Sequence, residues 1–434
     1  MKNFTKQHLS NPKTFKHQLW SWARQHKVFI WLDANNHSDK YNEFDYLLAV
    51  DIQSSIKTSY HNAFEQLKDF QNKTEDWIFG YLGYDLKNDT EDLNSSNDDD
   101  VLFPDLFFFQ PKKIFLVKDN QLFIKYQKEI VKDIDSDIET IENLVLKEDK
   151  NHSEKLEIQS KVSKADYLDK VNQLLHHIQR GDIYEINFCM EFFANNADIK
   201  PYEIYQKLNK VSQPPFASFL KINDLYALSA SPERYLKKKA QKVISQPIKG
   251  TAKRSAQIEK DEALKQSLLK DPKEQSENVM IVDLVRHDLS KTALKNSVKV
   301  EELFGLHSFL QVHQMISTIS SEVSKNIPVI EIIKTTFPMG SMTGAPKIKA
   351  MQLIETFEAT KRGLYSGALG YITPDGDFDF SVMIRSILYN QEKKYVSYSV
   401  GSAITAKSKP EKEYEECLLK AKALKEVLTD SELN

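Results

Sequence analysis

The residues best suited to chemistry lie in the later part of the sequence, and their types suit an anionic small molecule. Glu413 and Glu416 are three residues apart on a predicted final helix and therefore share a face. Glu277 falls in the first turn of another predicted helix. Each alone reads as an ordinary solvated carboxylate. Together they could hold Mg²⁺, which takes a few carboxylates, several waters and an anionic ligand. Arg385, on a predicted strand between Ile384 and Ser386, is either a bidentate carboxylate clamp or a surface arginine on the exposed sheet face. Residues 340–347 (GSMTGAPK), with Ser341 among them, lead into a helix whose free N–H groups suit an anion. Gly401, Ser402 and Ala403 follow a strand and could offer backbone N–H groups to a carboxylate. His313 sits in a strand, where a lone histidine is ordinarily structural. Lys249, in SQPIKGTAKR, stands at a predicted strand end, either as one cation of a solvated turn or as a partly buried amine.

The elements that must position these groups are legible in outline. Ser163 with Asp166 reads as a helix cap, followed by apolar residues at helical spacing up to Gly181. Residues 183–193 alternate as a strand, 216–222 and 225–236 form a hairpin turning at Asn223-Asp224, and 242–248 form a further strand. Residues 277–293, 329–336 and 346–358 are helical by spacing, with Pro346 in a first turn; 298–309 and 312–323 are strand-like. Two more hairpins and a helix from Pro410 to about residue 428 complete the chain. Strands and helices come in blocks, which indicates an α+β fold. The acidic stretch 89–100 reads as a solvated loop, and the polar segment 147–160 as a boundary between two parts.

The 434 residues are enough for a substantial core, and the 41 % hydrophobic and 28 % charged composition is that of a soluble globular protein. A net charge of -3 gives no reason to expect nucleic acid or an anionic membrane as partner. No apolar run approaches the roughly 20 residues of a membrane span. The two cysteines, Cys189 and Cys417, make neither a disulfide framework nor a zinc site, so a reducing cytoplasm is expected. Elbow, P-loop, dinucleotide and zinc-protease motifs are all missing from the sequence.

Six short motifs in order carry a family resemblance: SPER at 231–234, PIKGT at 247–251, ENVMIVDL at 277–284, GSMTGAPK at 340–347, GSA at 401–403 and EYEE at 413–416. Their succession resembles the chorismate-utilising enzymes, which include anthranilate synthase component I, aminodeoxychorismate synthase component I, isochorismate synthase and salicylate synthase. The likeness is nearly continuous from about residue 165 to 428 and weaker before it, where FGYLGYD at 79–85 looks like a family motif. It implies two large antiparallel β-sheets packed as a sandwich with helices outside. Residues 1–150 would be an N-terminal subdomain of that sandwich and 160–430 the chorismate-binding catalytic region.

The resemblance also implies roles. Glu277 and Glu416 would hold Mg²⁺ against the ring carboxylate of chorismate, with Glu413 beside them. Ser341 and the backbone of Gly401, Ser402 and Ala403 would take that carboxylate's other edge, and Arg385 and Tyr371 the enolpyruvyl carboxylate. Glu233 matches a general acid that protonates the departing C4 hydroxyl, and His313 a histidine near C4. Lys249 selects the branch: aminodeoxychorismate synthases carry lysine there and anthranilate synthases alanine. The lysine would attack C2 as the C4 hydroxyl leaves, and ammonia would then add at C4; a positive or apolar setting would favour the neutral amine this needs.

The expectation is therefore aminodeoxychorismate synthase component I, a Mg²⁺-dependent enzyme of p-aminobenzoate and folate synthesis fed with ammonia by a separate glutamine amidotransferase subunit. The alternatives are anthranilate synthase component I and a catalytically silent amidotransferase-binding scaffold. Three departures stand out. Ala403 replaces a usual glycine, His287 a usual asparagine, and Glu185 stands where isochorismate and salicylate synthases carry a water-activating lysine.

Overall fold

Strand alternation decides the architecture. In Val28–Asp33, Phe29 and Trp31 enter one buried apolar cluster, while Val28, Ile30 and Leu32 enter another. Such a strand is covered on both faces, as the inner strands of a layered protein are. A computed structural model describes residues 4–37, 39–145 and 156–429, among which run twenty strands and eleven α-helices. Most of the polar segment 147–160 lies outside the described residues.

All strand pairings are antiparallel. One layer runs Glu185–Ala194, Tyr395–Thr405, Ser386–Asn390, Leu225–Ser231, Phe216–Ile222, Val28–Asp33 and Tyr46–Thr58. The other runs Leu106–Lys118, Ile78–Leu82, Ala368–Ile372, Phe378–Val382, Arg234–Lys239, Lys242–Gln246 and Val312–Glu322. The two expected sheets are halves of one hydrogen-bonded network. The 13-residue strands Tyr46–Thr58 and Leu106–Lys118 pair along their length and join the halves, bending at a bulge between Ile52 and Ser54 where Asp51 has φ +59°. The helices Pro12–Ala23, Lys164–Gln179, Pro201–Ser212 and Pro410–Thr429 contribute Trp20, Leu174, Tyr205 and Leu424 to the first cluster; Pro272–Ser290 and Val329–Thr336 contribute Ile281 and Ile333 to the second.

Several local expectations are met and several are not. Ser163 caps Lys164–Gln179 by accepting from the Asp166 N–H at 3.1 Å. The strand read over 225–236 is instead two, because Pro232 has no N–H to continue a ladder. The chain leaves the first layer at Ser231 and enters the second at Arg234. The acidic stretch 89–100 is solvated as expected, with no residue buried, but it is also tied down: Ser95 Oγ bonds Asp85 and Glu355, and Asp98 bridges to Thr360. Both cysteines are free and buried.

Candidate active site

The crossing at Pro232 places Glu233 between the two layers, on the wall of a cavity of about 1050 Å³. Glu233 is 4 % exposed, and Ser341 Oγ donates to its Oε1 at 2.6 Å. Burial pushes its carboxyl up to about 7 against the opposing effects of the Ser341 hydrogen bond and the Lys249 charge. At neutral pH this group can hold a proton and hand it on.

Lys249 lines the same cavity. It does not end a strand; it sits inside Ile248–Lys253, where the register against Val312–Glu322 shifts between Ile248 and Thr251. Gly250, at φ +91°, permits this irregularity, which turns the lysine inward. Its ammonium pairs with Glu185, whose carboxylate is buried beneath it. The setting is thus acidic, not the positive or apolar one anticipated. Burial draws Lys249 toward neutrality, but the charges of Glu185 and Glu277 outweigh it and hold the ammonium above its ordinary range.

Glu277 sits in the second turn of Pro272–Ser290, not the first, because Asp271 caps the helix and Pro272 opens it. Burial raises its carboxyl to about 7 despite Lys249 and Lys273. Glu416 also faces the cavity, and Lys420, paired with it at 2.6 Å, overcomes its burial and holds it below the usual carboxylate range. Glu413 does not line the cavity: residues three apart differ by about 60° around a helix. It lies on the buried side with Cys417 and Ala421, 3.5 Å from Lys273, which also reaches Glu277 at 3.6 Å. Glu413 Oε2 is buried with no hydrogen-bond partner. Among the described residues no three His, Cys, Asp or Glu side chains form a closed metal cage. Two cavity-facing carboxylates, Glu277 and Glu416, fit an open oxygen site for Mg²⁺, with water and substrate completing it.

Arg385 lies between Phe378–Val382 and Ser386–Asn390, at φ +51°, rather than within a strand. Its guanidinium faces the cavity and forms no ion pair with a described residue. Gly401 and Ala403 line the cavity beside it. Tyr395–Thr405 pairs with Glu185–Ala194 on one edge, while its pairing with Ser386–Asn390 ends at Ser397. The backbone beyond Ser397 is therefore open on the cavity side. A Cβ at Gly401 would stand 2.6 Å from Cys189 Sγ, so only glycine fits there. The Ser402 side chain points away and bonds Tyr167 at 3.1 Å.

Three expected positions differ. Tyr371 is not in this cavity. It pairs with Phe79 and Asp379, stacks on Trp77 at 5.3 Å and lines a separate space of about 30 Å³ beside Phe44. Tyr365, in the preceding turn, is the tyrosine that lines the cavity with Arg385. His313 points away, since alternation along its strand gives Val312 and Gln314 to the cavity; its ring bonds Ser308 at 2.8 Å and Asp261 at 3.0 Å. The 340–347 segment is no simple helix start: Gly344–Ala345 pair with Glu185 and Ile186, and the helix begins only at Lys347. Of this segment Ser341 and Met342 line the cavity. Glu274 and Lys273 were missed; reading Asp271-Pro272 as a helix start would have put them on the site's side of that helix.

Comparison with known proteins bears on family and fold. The chain is 39 % identical over 264 residues to an aminodeoxychorismate synthase of Streptomyces griseus, a match over 60 % of this chain and 36 % of that protein. The chain thus spans about a third of that relative's length. It is 31 % identical over 354 residues to anthranilate synthase component 1 of Thermus thermophilus, over 80 % of this chain and 76 % of the relative. The crystal structure of anthranilate synthase component I from Streptococcus pneumoniae TIGR4 superposes with a TM-score of 0.79 at 24 % identity, covering 90 % of this chain and 93 % of that one, a likeness of fold. The model of the chorismate binding enzymes matches residues 19–426, and with that span the chain belongs to the chorismate binding enzyme family.

Proposed function

We propose that this chain acts as aminodeoxychorismate synthase component I, replacing the C4 hydroxyl of chorismate by ammonia to give 4-amino-4-deoxychorismate. The observation that carries this reading is the shared cavity of Lys249 and Glu233, a lysine beside a buried acid whose carboxyl is raised to about 7. Ser341 holds Glu233 Oε1 and orients the carboxyl that carries the proton to the leaving hydroxyl. Lys249 attacks C2 as that hydroxyl departs, and ammonia then adds at C4 and expels the amine. Arg385 and Tyr365 take the enolpyruvyl carboxylate, and the open backbone at 401–403 takes the ring carboxylate. Mg²⁺ held by Glu277 and Glu416 would neutralise that carboxylate and draw electron density through the diene. Ammonia would come from a glutamine amidotransferase subunit in the cytoplasm. Among the described residues no helix is long and apolar enough to cross a membrane.

The second reading, anthranilate synthase component I, is favoured by the longer match to the Thermus relative. Chorismate, Mg²⁺ and ammonium incubated with the purified chain separate the two. The expected product is 4-amino-4-deoxychorismate, identified by chromatography and mass. Fluorescent anthranilate, formed without an added lyase, would overturn the first reading.

A further inference from the structure

Lys249 cannot attack while it is an ammonium, and its surroundings favour that form. Glu185, Glu233, Glu274, Glu277 and Glu416 all act on it or are acted on by it. Of these, Glu185 alone is in hydrogen-bond contact with its Nζ. It is 1 % exposed and lies outside the cavity lining, beneath the lysine. Its backbone is fixed from both sides, by Thr405 across one edge of its strand and Ala345 across the other. Lys249 by contrast sits on an irregular strand beside a left-handed glycine. Glu185 Oε2 is buried without a hydrogen-bond partner. A buried carboxylate with an orphan oxygen is costly and calls for a reason.

We propose that Glu185 is the positioning residue that commits Lys249 to C2: it holds the amine over the cavity floor and takes up its proton when the amine attacks. The inference rests on the reading of Lys249 as nucleophile. One proton passes from the Lys249 ammonium to Glu185. The freed lone pair forms the C2–N bond, both double bonds of the ring diene shift, and the C4–O bond breaks, with Glu233 giving its proton to the departing oxygen so that water leaves. Ammonia then bonds to C4, both double bonds shift back, and the C2–N pair returns to Lys249. Glu185 returns the proton, and Glu233 is reprotonated from solvent. With Lys249 pinned over C2, ammonia has no path to that carbon; released, the lysine uncovers it.

The full-length chain is assayed with chorismate, Mg²⁺ and ammonium as wild type, Glu185→Gln and Glu185→Asp. The Gln variant keeps size and loses charge; the Asp variant keeps the charge. For Glu185→Gln, kcat for the 4-amino product is expected to fall roughly 10²-fold with the chorismate KM within about threefold, and anthranilate to appear as a new product. Glu185→Asp should retain the wild-type product and at least about a tenth of kcat. Without substrate, acylation of Lys249 by acetic anhydride, read by peptide mass spectrometry, should be faster in Glu185→Gln than in wild type or Glu185→Asp. An unchanged kcat and product ratio in Glu185→Gln, a change confined to KM, or equal labelling of Lys249 in wild type and Glu185→Gln would overturn the proposal. If Glu185→Gln does not fold, Glu185→Asp decides: loss of the 4-amino product while Lys249 stays shielded from the reagent overturns it, and retention supports it. Wild type that makes no 4-amino product refutes the nucleophile reading instead, and the labelling comparison still reports on the Glu185–Lys249 contact.

Discussion

Ser341 Oγ donates to Glu233 Oε1 at 2.6 Å, tying the short turn Gly340–Met342 to the point where the chain crosses between sheet layers. The bond orients an acid that burial has brought to about 7. Glu233→Gln should lower kcat by roughly 10²- to 10⁴-fold, the usual worth of a positioned acid, with little change in KM. Stability should move the other way. The folded-state pKa lies above the unfolded one, so the associated stability is complete below the unfolded value, about 4.3, and is lost as pH rises through about 7, at most about 4 kcal/mol. Thermal melts should therefore show Glu233→Gln gaining on wild type more at pH 8 than at pH 5.

Glu277 and Glu416 face the cavity, and Glu413 stands behind them. Chelation should abolish turnover, with Mg²⁺ restoring it. Glu277→Gln and Glu416→Gln should each raise the Mg²⁺ needed for half-maximal rate by about tenfold or more, the worth of one charge-assisted contact. Glu413→Gln should leave that requirement within about threefold, since the carboxylate lies outside the cavity lining. Titrating rate against Mg²⁺ in the three variants checks the order.

Among the described residues Arg385 has no carboxylate partner of its own, and Tyr365 rather than Tyr371 shares its cavity. Arg385→Lys keeps the charge and loses the planar fork, and should raise the chorismate KM roughly tenfold, ~1.5 kcal/mol. Tyr365→Phe should raise KM and Tyr371→Phe should not. Steady-state kinetics on the two tyrosine variants test the assignment directly.

Lys249→Ala should lose the 4-amino product by at least about 10²-fold and open C2 to ammonia, so that anthranilate appears. Product analysis at high ammonium decides this; undiminished 4-amino activity would remove the lysine from the chemistry.

Local signals in the sequence were sound where the structure is local. The Ser163 cap, the Asn223-Asp224 turn and the helix from Pro410 all stand where spacing put them. What was misread depends on partners far along the chain. Alternation identifies Val312–Glu322 as a strand, but only its packing against Ile258–Lys270 and the cavity tells that His313 faces Asp261 and Gln314 the site. Tyr371 and Tyr365 are equally plausible in sequence; pairing with Ile78–Leu82 buries the first in the wall. The start of the Glu277 helix was local and missed, because apolar spacing was followed where Asp271-Pro272 was the stronger signal. Glu185 was visible as a departure, but its ion pair joins residues whose strands meet only through the fold.

Among the described residues none before Asn187 lines the cavity, yet Val28–Asp33 and Ile78–Leu82 are interior strands of the same network. They close the exposed edges of Phe216–Ile222 and Ala368–Ile372, in a register that sets Gly80 opposite Gly370; a Cβ on Gly80 would meet the Phe107 backbone oxygen at 2.1 Å and one on Gly370 that of Asp379 at 2.0 Å. Chimeras that join the front of one relative to the back of another are thus governed by edge fit rather than by active-site identity. Such a hybrid could carry every reacting side chain and still present two sticky strand edges to its neighbours. In this protein two strands that lend nothing to the cavity lining act as the seal on the sheet edges of the network that carries it.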